Sequence, residues 1–274
     1  MSTLSATDSS LPNLSLPNLS LPNLSLPKLS VLIPVYNERS TLEEILRRVQ
    51  AVPIEKEIIV VDNCSTDGTR ELLQSLLDSG EAGTESSQST LRVVLQTENN
   101  GKGSSVRRAL ELSRGEFVIV QDADLEYDPQ DFLRLLEKTQ TKGKTRGCDV
   151  VFGTRLSHKT ATCSKQPRTS FYYGRVGLSV LLRVLYAVPI SDVATCYKLL
   201  RREVAQNLNL RSSGFDLDFE IGAKVAKLKK NRKLRFAEVP VSYYPRTELE
   251  GKKIRAVHDG LRAAWALVRY RFTN

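Results

Sequence analysis

Between residues 29 and 153 five short apolar runs, at 29–35, 57–62, 91–96, 117–122 and 150–153, alternate with segments of helical periodicity at about 41–52, 68–78, 102–112 and 129–138. Runs this short and this apolar read as strands covered on both faces. Strands that alternate with helices build a largely parallel sheet flanked by those helices. The pattern therefore predicts an α/β chain, and a 41% hydrophobic content over 274 residues can fill one sizeable core. Ser40 with Glu43 three residues on predicts a capping box at the first helix. Beyond residue 153 the alternation weakens. There it predicts a helix at 171–188, a strand at 196–200, a helix at 219–228, a strand at 234–241 and a last helix from about 254.

Residues 11–30 read LPNLS three times and then LPKLS. Proline at every fifth position blocks both helix and central strand, and the period is too short for a solenoid unit. Residues 1–27 are thus expected to be a flexible leader and 28–274 the folded domain. The segments 79–90 and 139–147 are polar and read as surface connections.

No stretch approaches the roughly 18 apolar residues of a spanning helix, and the first residues lack a basic segment leading into an apolar one. A cytosolic location is the expectation. Cys64, Cys148, Cys163 and Cys196 form neither a CxxC pair nor a dense framework, which points to reduced structural thiols. His158 and His258 show no metal-ligand spacing. The net charge of +9 is concentrated at one end: residues 224–274 carry 14 Lys and Arg against 4 Asp and Glu, leaving 26 against 27 for the rest. Such a block suits nucleic acid, an anionic membrane surface, phosphorylated substrates or simple solvation, and composition does not choose among them. No nucleic-acid-binding motif accompanies it, so no nucleic acid is expected as a partner.

Ligands of doubly wound sheets bind beyond the carboxyl ends of the strands. Here strand one runs into Tyr36-Asn37-Glu38, strand two into Asp62-Asn63-Cys64-Ser65, and strand four into Asp122-Ala123-Asp124. Two carboxylates at i and i+2 after a buried strand repel each other unless a cation lies beside them. Asp122 and Asp124 therefore suggest a divalent cation, Mg2+ or Mn2+, held by one or two carboxylates plus the phosphates of a nucleoside diphosphate. A plain turn with the two Asp side chains bound to backbone N–H groups fits the same spacing. Gly101-Lys102-Gly103 opens a helix whose N–H groups, with Lys102, could face a diphosphate. In the last helix Val257, Leu261, Trp265 and Val268 fall near one face with Arg262, Arg269 and Arg271 around it. That arrangement fits an interfacial anchor or a core-facing amphipathic helix.

The ordered motifs VLIPVYNE at 31–38, VVDNCSTDGT at 60–69, NNGKG at 99–103 and QDADLEYDP at 121–129 resemble those of family 2 glycosyltransferases of the GT-A fold. The likeness continues through FGTRL at 152–156, DVATCYKLLRRE at 192–203, GFDLDFEI at 214–221 and VPVSYYPRTELEGKKI at 239–254. Within the family it is similar to the polyprenyl-phosphate hexosyltransferases of the dolichyl-phosphate mannose synthase type. The resemblance implies a nucleoside-diphosphate sugar donor and a polyprenyl phosphate acceptor, met peripherally at the cytosolic membrane face, with inversion at the anomeric carbon. It implies Pro34, Tyr36, Glu38 and Asp62 around the base and ribose, Asp122 against the donor, where the GKG turn also brings Lys102, and Asp124 and Glu126 at the metal. It further implies Arg155, Arg246, Lys252 and Lys253 at donor and acceptor phosphates. Were the acceptor a hydroxyl of a polysaccharide, protein or soluble sugar, a carboxylate base would be required, with Asp216, Asp218 or Glu220 as candidates. Glu126 stands where the dolichyl-phosphate type commonly carries Gln, and Asn63 and Cys64 stand where Asp and a small residue are usual.

Overall fold

The computed structural model describes residues 28–80, 89–156, 169–232, 234–246 and 256–273. The expected leader at 1–27 lies outside them, as do His158, Cys163, Lys252, Lys253, the side chain of Val257 and most of the 79–90 connection. The elements run β1 (Leu29–Val35), α1 (Leu42–Gln50), β2 (Lys56–Asp62), α2 (Thr69–Asp78), β3 (Ser89–Leu95), α3 (Lys102–Leu112), β4 (Phe117–Val120) and α4 (Asp131–Glu137). There follow β5 (Val150–Thr154), α5 (Ser170–Tyr186), β6 (Lys198–Arg201), α6 (Arg202–Asn207), α7 (Leu217–Arg232), β7 (Phe236–Pro240) and α8 (Ala256–Phe272).

One seven-stranded sheet holds these strands in the order β3-β2-β1-β4-β6-β5-β7. β1 pairs in parallel with β2 and β4, β2 with β3, and β5 with β7. β6 alone runs antiparallel, between β4 and β5. The central strands are buried on both faces, with Ile33, Ile58, Val60 and Phe117 fully inaccessible, which is why their sequences are continuous apolar runs rather than alternating ones. From β1 the chain first builds outward to β2 and β3, then returns to place β4 on the other side of β1. That reversal opens a crevice beyond the carboxyl ends of β1 and β4.

The expected strands and helices recur with shifted ends, and α6 is an addition. It begins at Arg202, immediately after β6, so no turn residue separates the two elements or marks the helix in the sequence. The expected capping box is not formed. Thr41, not Ser40, occupies the cap position without a side-chain cap bond, and Glu43 instead pairs with Arg39 at 3.0 Å.

α5 and α8 pack together, and the Tyr186 hydroxyl donates to the Leu267 carbonyl at 2.8 Å. α8 turns Ala263, Ala266, Leu267 and Tyr270 into the core and leaves Leu261 and Trp265 69% and 65% exposed. Of the apolar side chains singled out in the sequence, Leu261 and Trp265 are therefore on the outer face and Val268 is half-buried, and a second apolar stripe does the packing.

Candidate functional site

The chain leaves β1, β2 and β4 through turns with non-glycine residues at positive φ: Asn37 at 53°, Cys64 at 63° and Leu125 at 62°. Left-handed backbone costs an L-residue about 1–2 kcal/mol, and such strain collects at functional edges. The first two turns are stitched together: the Asn37 N–H donates to Ser65 Oγ at 2.9 Å and the Thr66 N–H to Asn37 Oδ1 at 2.8 Å. Tyr36 presents its ring at this edge, 37% exposed, with Pro34 part-buried in β1. Asp62 is buried at the end of β2, where it accepts the Ser65 N–H at 3.2 Å and Arg70 Nη1 at 2.9 Å.

Three charged groupings converge beyond these ends. In the first, Glu38, Asp124 and Glu126 surround Arg246, which lies 3.2 Å from Glu38 and 3.5 Å from Asp124. Glu126 accepts the Arg246 N–H and the Tyr243 hydroxyl, both at 2.9 Å. Burial, then the neighbouring charges of Asp122 and Glu126, push the Asp124 carboxyl up from 3.8 to about 7. Crowded carboxyls of this kind are what a hard dication relieves. Among the described residues no three His, Cys, Asp or Glu side chains converge to hold an ion by themselves. A site completed by phosphate oxygens needs only one or two carboxylates, so the donor set fits that arrangement.

In the second grouping Lys102, at the start of α3, lies 2.7 Å from Asp122 and 3.7 Å from Asp218, and Lys198 of β6 lies 2.8 Å from Asp218. Burial opposes the Asp218 charge, but Lys198 and Lys102 outweigh it and hold the carboxyl below its ordinary range. Burial likewise opposes the Lys102 charge and Asp122 outweighs it, so this lysine stays protonated. The expectation that the N–H groups of the GKG turn face a ligand is corrected for its two glycines. Gly101 N–H donates to Asn99 Oδ1 at 3.1 Å and Gly103 N–H to the Ser213 carbonyl at 2.7 Å. The glycines allow close approach instead: a Cβ on Gly103 would meet the Ser212 carbonyl oxygen at 2.1 Å.

The third grouping centres on Arg155, just beyond β5. It is 7% exposed and bonds Asp192 through Nε at 2.8 Å, Nη2 at 2.9 Å and its backbone N–H at 3.0 Å. Its guanidinium lies over the Tyr243 ring at 5.0 Å, and that of Arg175 from α5 lies over the same ring at 5.8 Å. Burial and then the Arg155 charge lower the Arg175 pKa, so two guanidiniums face one carboxylate. Asp192, Lys198 and Tyr243 were not singled out from the sequence, and Arg175 stood out there only as a charge, with Arg183, interrupting the apolar helix at 171–188 rather than as a site residue. Asp192 was the most legible of them, an acid inside an apolar stretch, whereas Arg175 reads as any helical arginine.

The sequence profile of "Glycosyl transferase family 2" matches residues 30–208, from β1 through α6. The chain belongs to glycosyl transferase family 2. It is 29% identical over 248 residues to the dolichol-phosphate mannosyltransferase of Pyrococcus furiosus, covering 88% of this chain and 64% of that protein. It is 28% identical over 256 residues to the dolichyl-phosphate beta-glucosyltransferase of Dictyostelium discoideum, covering 89% of this chain and 73% of that one. The chain thus spans less than two thirds of the archaeal relative's length. Among solved structures, glucosyl-3-phosphoglycerate synthase from Mycobacterium tuberculosis in complex with UDP superposes with a TM-score of 0.61 at 18% identity, covering 89% of this chain and 80% of that one. The shared architecture is the GT-A fold, as the motifs implied.

Proposed function

We propose that this family member moves a hexose from a nucleoside-diphosphate sugar to a polyprenyl phosphate, with inversion, at the cytosolic face of a membrane. The observation that carries the reading is the pairing of Asp218, one of the three carboxylates expected as a base for a hydroxyl acceptor, with Lys198 and Lys102. Two lysines hold it ionised with a lowered pKa, which makes it a poor acceptor of a hydroxyl proton. An acceptor that arrives already ionised does not need one. Arg155, paired with Asp192, and Arg175, whose charge bears on the same carboxylate and whose guanidinium lies over the same Tyr243 ring, supply the positive charge that orients a phosphate. The names of the relatives, a dolichol-phosphate and a dolichyl-phosphate transferase, support the same acceptor class.

Tyr36, Glu38 and Asp62 edge the nucleotide pocket, the ring by stacking and the acids by accepting base or ribose hydrogens. Asp124 would hold a divalent cation, Mg2+ or Mn2+, with the diphosphate, and when bound it neutralises charge on the departing nucleoside diphosphate. The M. tuberculosis synthase has been solved with Mn2+ and UDP, which supports that cofactor class. Lys102 fixes Asp122 against the donor. An acceptor phosphate oxygen forms the new bond to the anomeric carbon as the sugar–diphosphate bond breaks on the opposite face, and the bonding pair leaves with the diphosphate. The outer face of α8, Leu261 and Trp265 beside Arg262 and Arg269, is suited to an anionic membrane surface, where apolar burial and charge attraction add. The deciding assay presents a panel of nucleotide sugars with a short polyprenyl phosphate, the corresponding polyprenol and free sugars. Transfer to the phosphate alone is expected. Robust transfer to the alcohol or sugars and none to the phosphate refutes the acceptor.

A further inference from the structure

The segment from Tyr243 to Arg246 is laid against the turn that follows β4. Tyr127 and Tyr243 form an isolated antiparallel bridge, and the Tyr244 N–H donates to the Glu126 carbonyl at 2.8 Å. The Glu126 carboxylate completes the hold by accepting the Tyr243 hydroxyl and the Arg246 N–H. Every one of these contacts fixes the strap by its backbone or by Tyr243, so the Arg246 side chain is left to reach forward on its own. It reaches the place where Glu38 and Asp124 face each other.

The contacts it makes there are long. Nη1 and Nη2 lie 3.2 and 3.4 Å from Glu38, Nη2 lies 3.5 Å from Asp124, and Nε is buried with no hydrogen-bond partner among the described residues. Charge-assisted guanidinium–carboxylate bonds settle at about 2.7–2.9 Å, as Arg155 and Asp192 do in the same site. Arg246 thus stands between Glu38 and Asp124, held by two long parallel bonds to the first and a longer contact with the second rather than by one close-fitted pair. A group bound in this way is readily exchanged for another cation.

We infer that the Arg246 guanidinium is a tethered counter-cation, standing among Glu38 and Asp124 in the donor-free protein and leaving when a divalent cation and diphosphate enter. This rests on the proposed metal site at Asp124. Asp124 cannot present its full charge to the guanidinium and to the dication together, so the two compete. Once displaced, the guanidinium swings from a strap that need not move, and its fork is free for the diphosphate oxygens brought in with the metal. Arg246 therefore opposes metal binding before the donor arrives and aids the donor complex afterwards. The chain then commits its metal only together with a nucleotide.

The test is Mn2+ binding without donor, read from the loss of the free-ion electron paramagnetic resonance signal. Arg246→Gln is expected to tighten Mn2+ about tenfold, the order of effect for removing one unit charge a few ångströms away in a partly exposed site. Arg246→Lys keeps the charge and should stay within about threefold of the parent protein. Arg246→Met, which also removes the charge, reports the same change should Gln disturb the strap. Transfer by Arg246→Gln falls even as its metal binding improves. Mn2+ affinity that is unchanged or weaker in both neutral variants, while still abolished by Asp124→Asn, overturns the inference and leaves the metal site standing. Mn2+ binding that survives Asp124→Asn refutes the metal site and the inference with it.

Discussion

Asp124→Asn should make the metal-free protein more stable at pH 8 while abolishing transfer. Burial and the charges of Asp122 and Glu126 raise this carboxyl from 3.8 to about 7. Between those values the folded state holds a proton that the unfolded chain has lost, so stability falls as pH rises from about 4 to 7 and the full penalty stands above 7. At about 1.36 kcal/mol for each tenfold change in proton affinity, that interval bounds the penalty at about 4 kcal/mol. Local relaxation and partial exposure reduce it, and about 2 kcal/mol is a reasonable working figure. Asparagine has nearly the same shape and no charge, so the variant escapes the penalty. For a domain of this size about 2 kcal/mol corresponds to roughly 4–8 °C in Tm. The assay is thermal unfolding in chelator at pH 5 and pH 8, with transfer measured in parallel. A gain at pH 8 that shrinks strongly at pH 5 supports the reasoning. An equal difference at both pH values, or a variant less stable than the parent at pH 8, refutes it.

Asp218→Asn should lower transfer less than the 10²–10⁴-fold typical of a lost general base, and Arg155→Ala should cost more than Asp218→Asn, as measured by initial rates with a polyprenyl phosphate. Asp192→Ala leaves Arg155 buried without its carboxylate and should destabilise the fold by about 3–5 kcal/mol in denaturant titration, whereas restoring an acid with Glu recovers part of the loss. Gly103→Ala drives a methyl group into the Ser212 carbonyl and should cost about 1–3 kcal/mol by the same titration. Leu261→Glu with Trp265→Glu should leave Tm nearly unchanged, because both side chains are exposed, yet reduce flotation with anionic liposomes; undiminished flotation removes α8 from the membrane contact.

The parallel core was legible because its physics is local. A strand covered on both faces is apolar through its middle, and so are β4 throughout, β1 apart from Ser30, and the Ile58–Val61 run of β2. The acids at their ends stood out against that background. Pairings between distant segments left no comparable trace. Arg246 and Glu38 are 208 residues apart, and nothing in either neighbourhood encodes the other. The GKG turn was misread for a related reason: its glycines accommodate residues 212–214, a long-range packing demand that has the same sequence appearance as a phosphate cradle. Ser40 and Glu43 satisfied the local capping rule, but Glu43 found Arg39 instead. In α8 periodicity showed an apolar stripe, while small alanines beside Leu267 and Tyr270 formed the packed one.

The antiparallel placement of β6 also bears on the order in which the protein can be made. Its ladder joins Phe117 to Arg201 and Val118 to Leu200, closing a long excursion of the chain. Contacts that close long loops form late, since the chain entropy must be given up before they contribute. A nascent chain that has emerged only as far as Asp124 already contains β1 to β4, with Tyr36, Asp62 and Lys102. It has neither Lys198 and Asp218 nor Arg155 and Arg246. Translation halted at that point yields the nucleotide edge with Lys102 beside Asp122 but without Arg246 beside Asp124, leaving that carboxylate uncompensated at the end of an unpaired strand edge. Such fragments are suited to recognition and removal by chaperones and proteases rather than to premature sugar transfer.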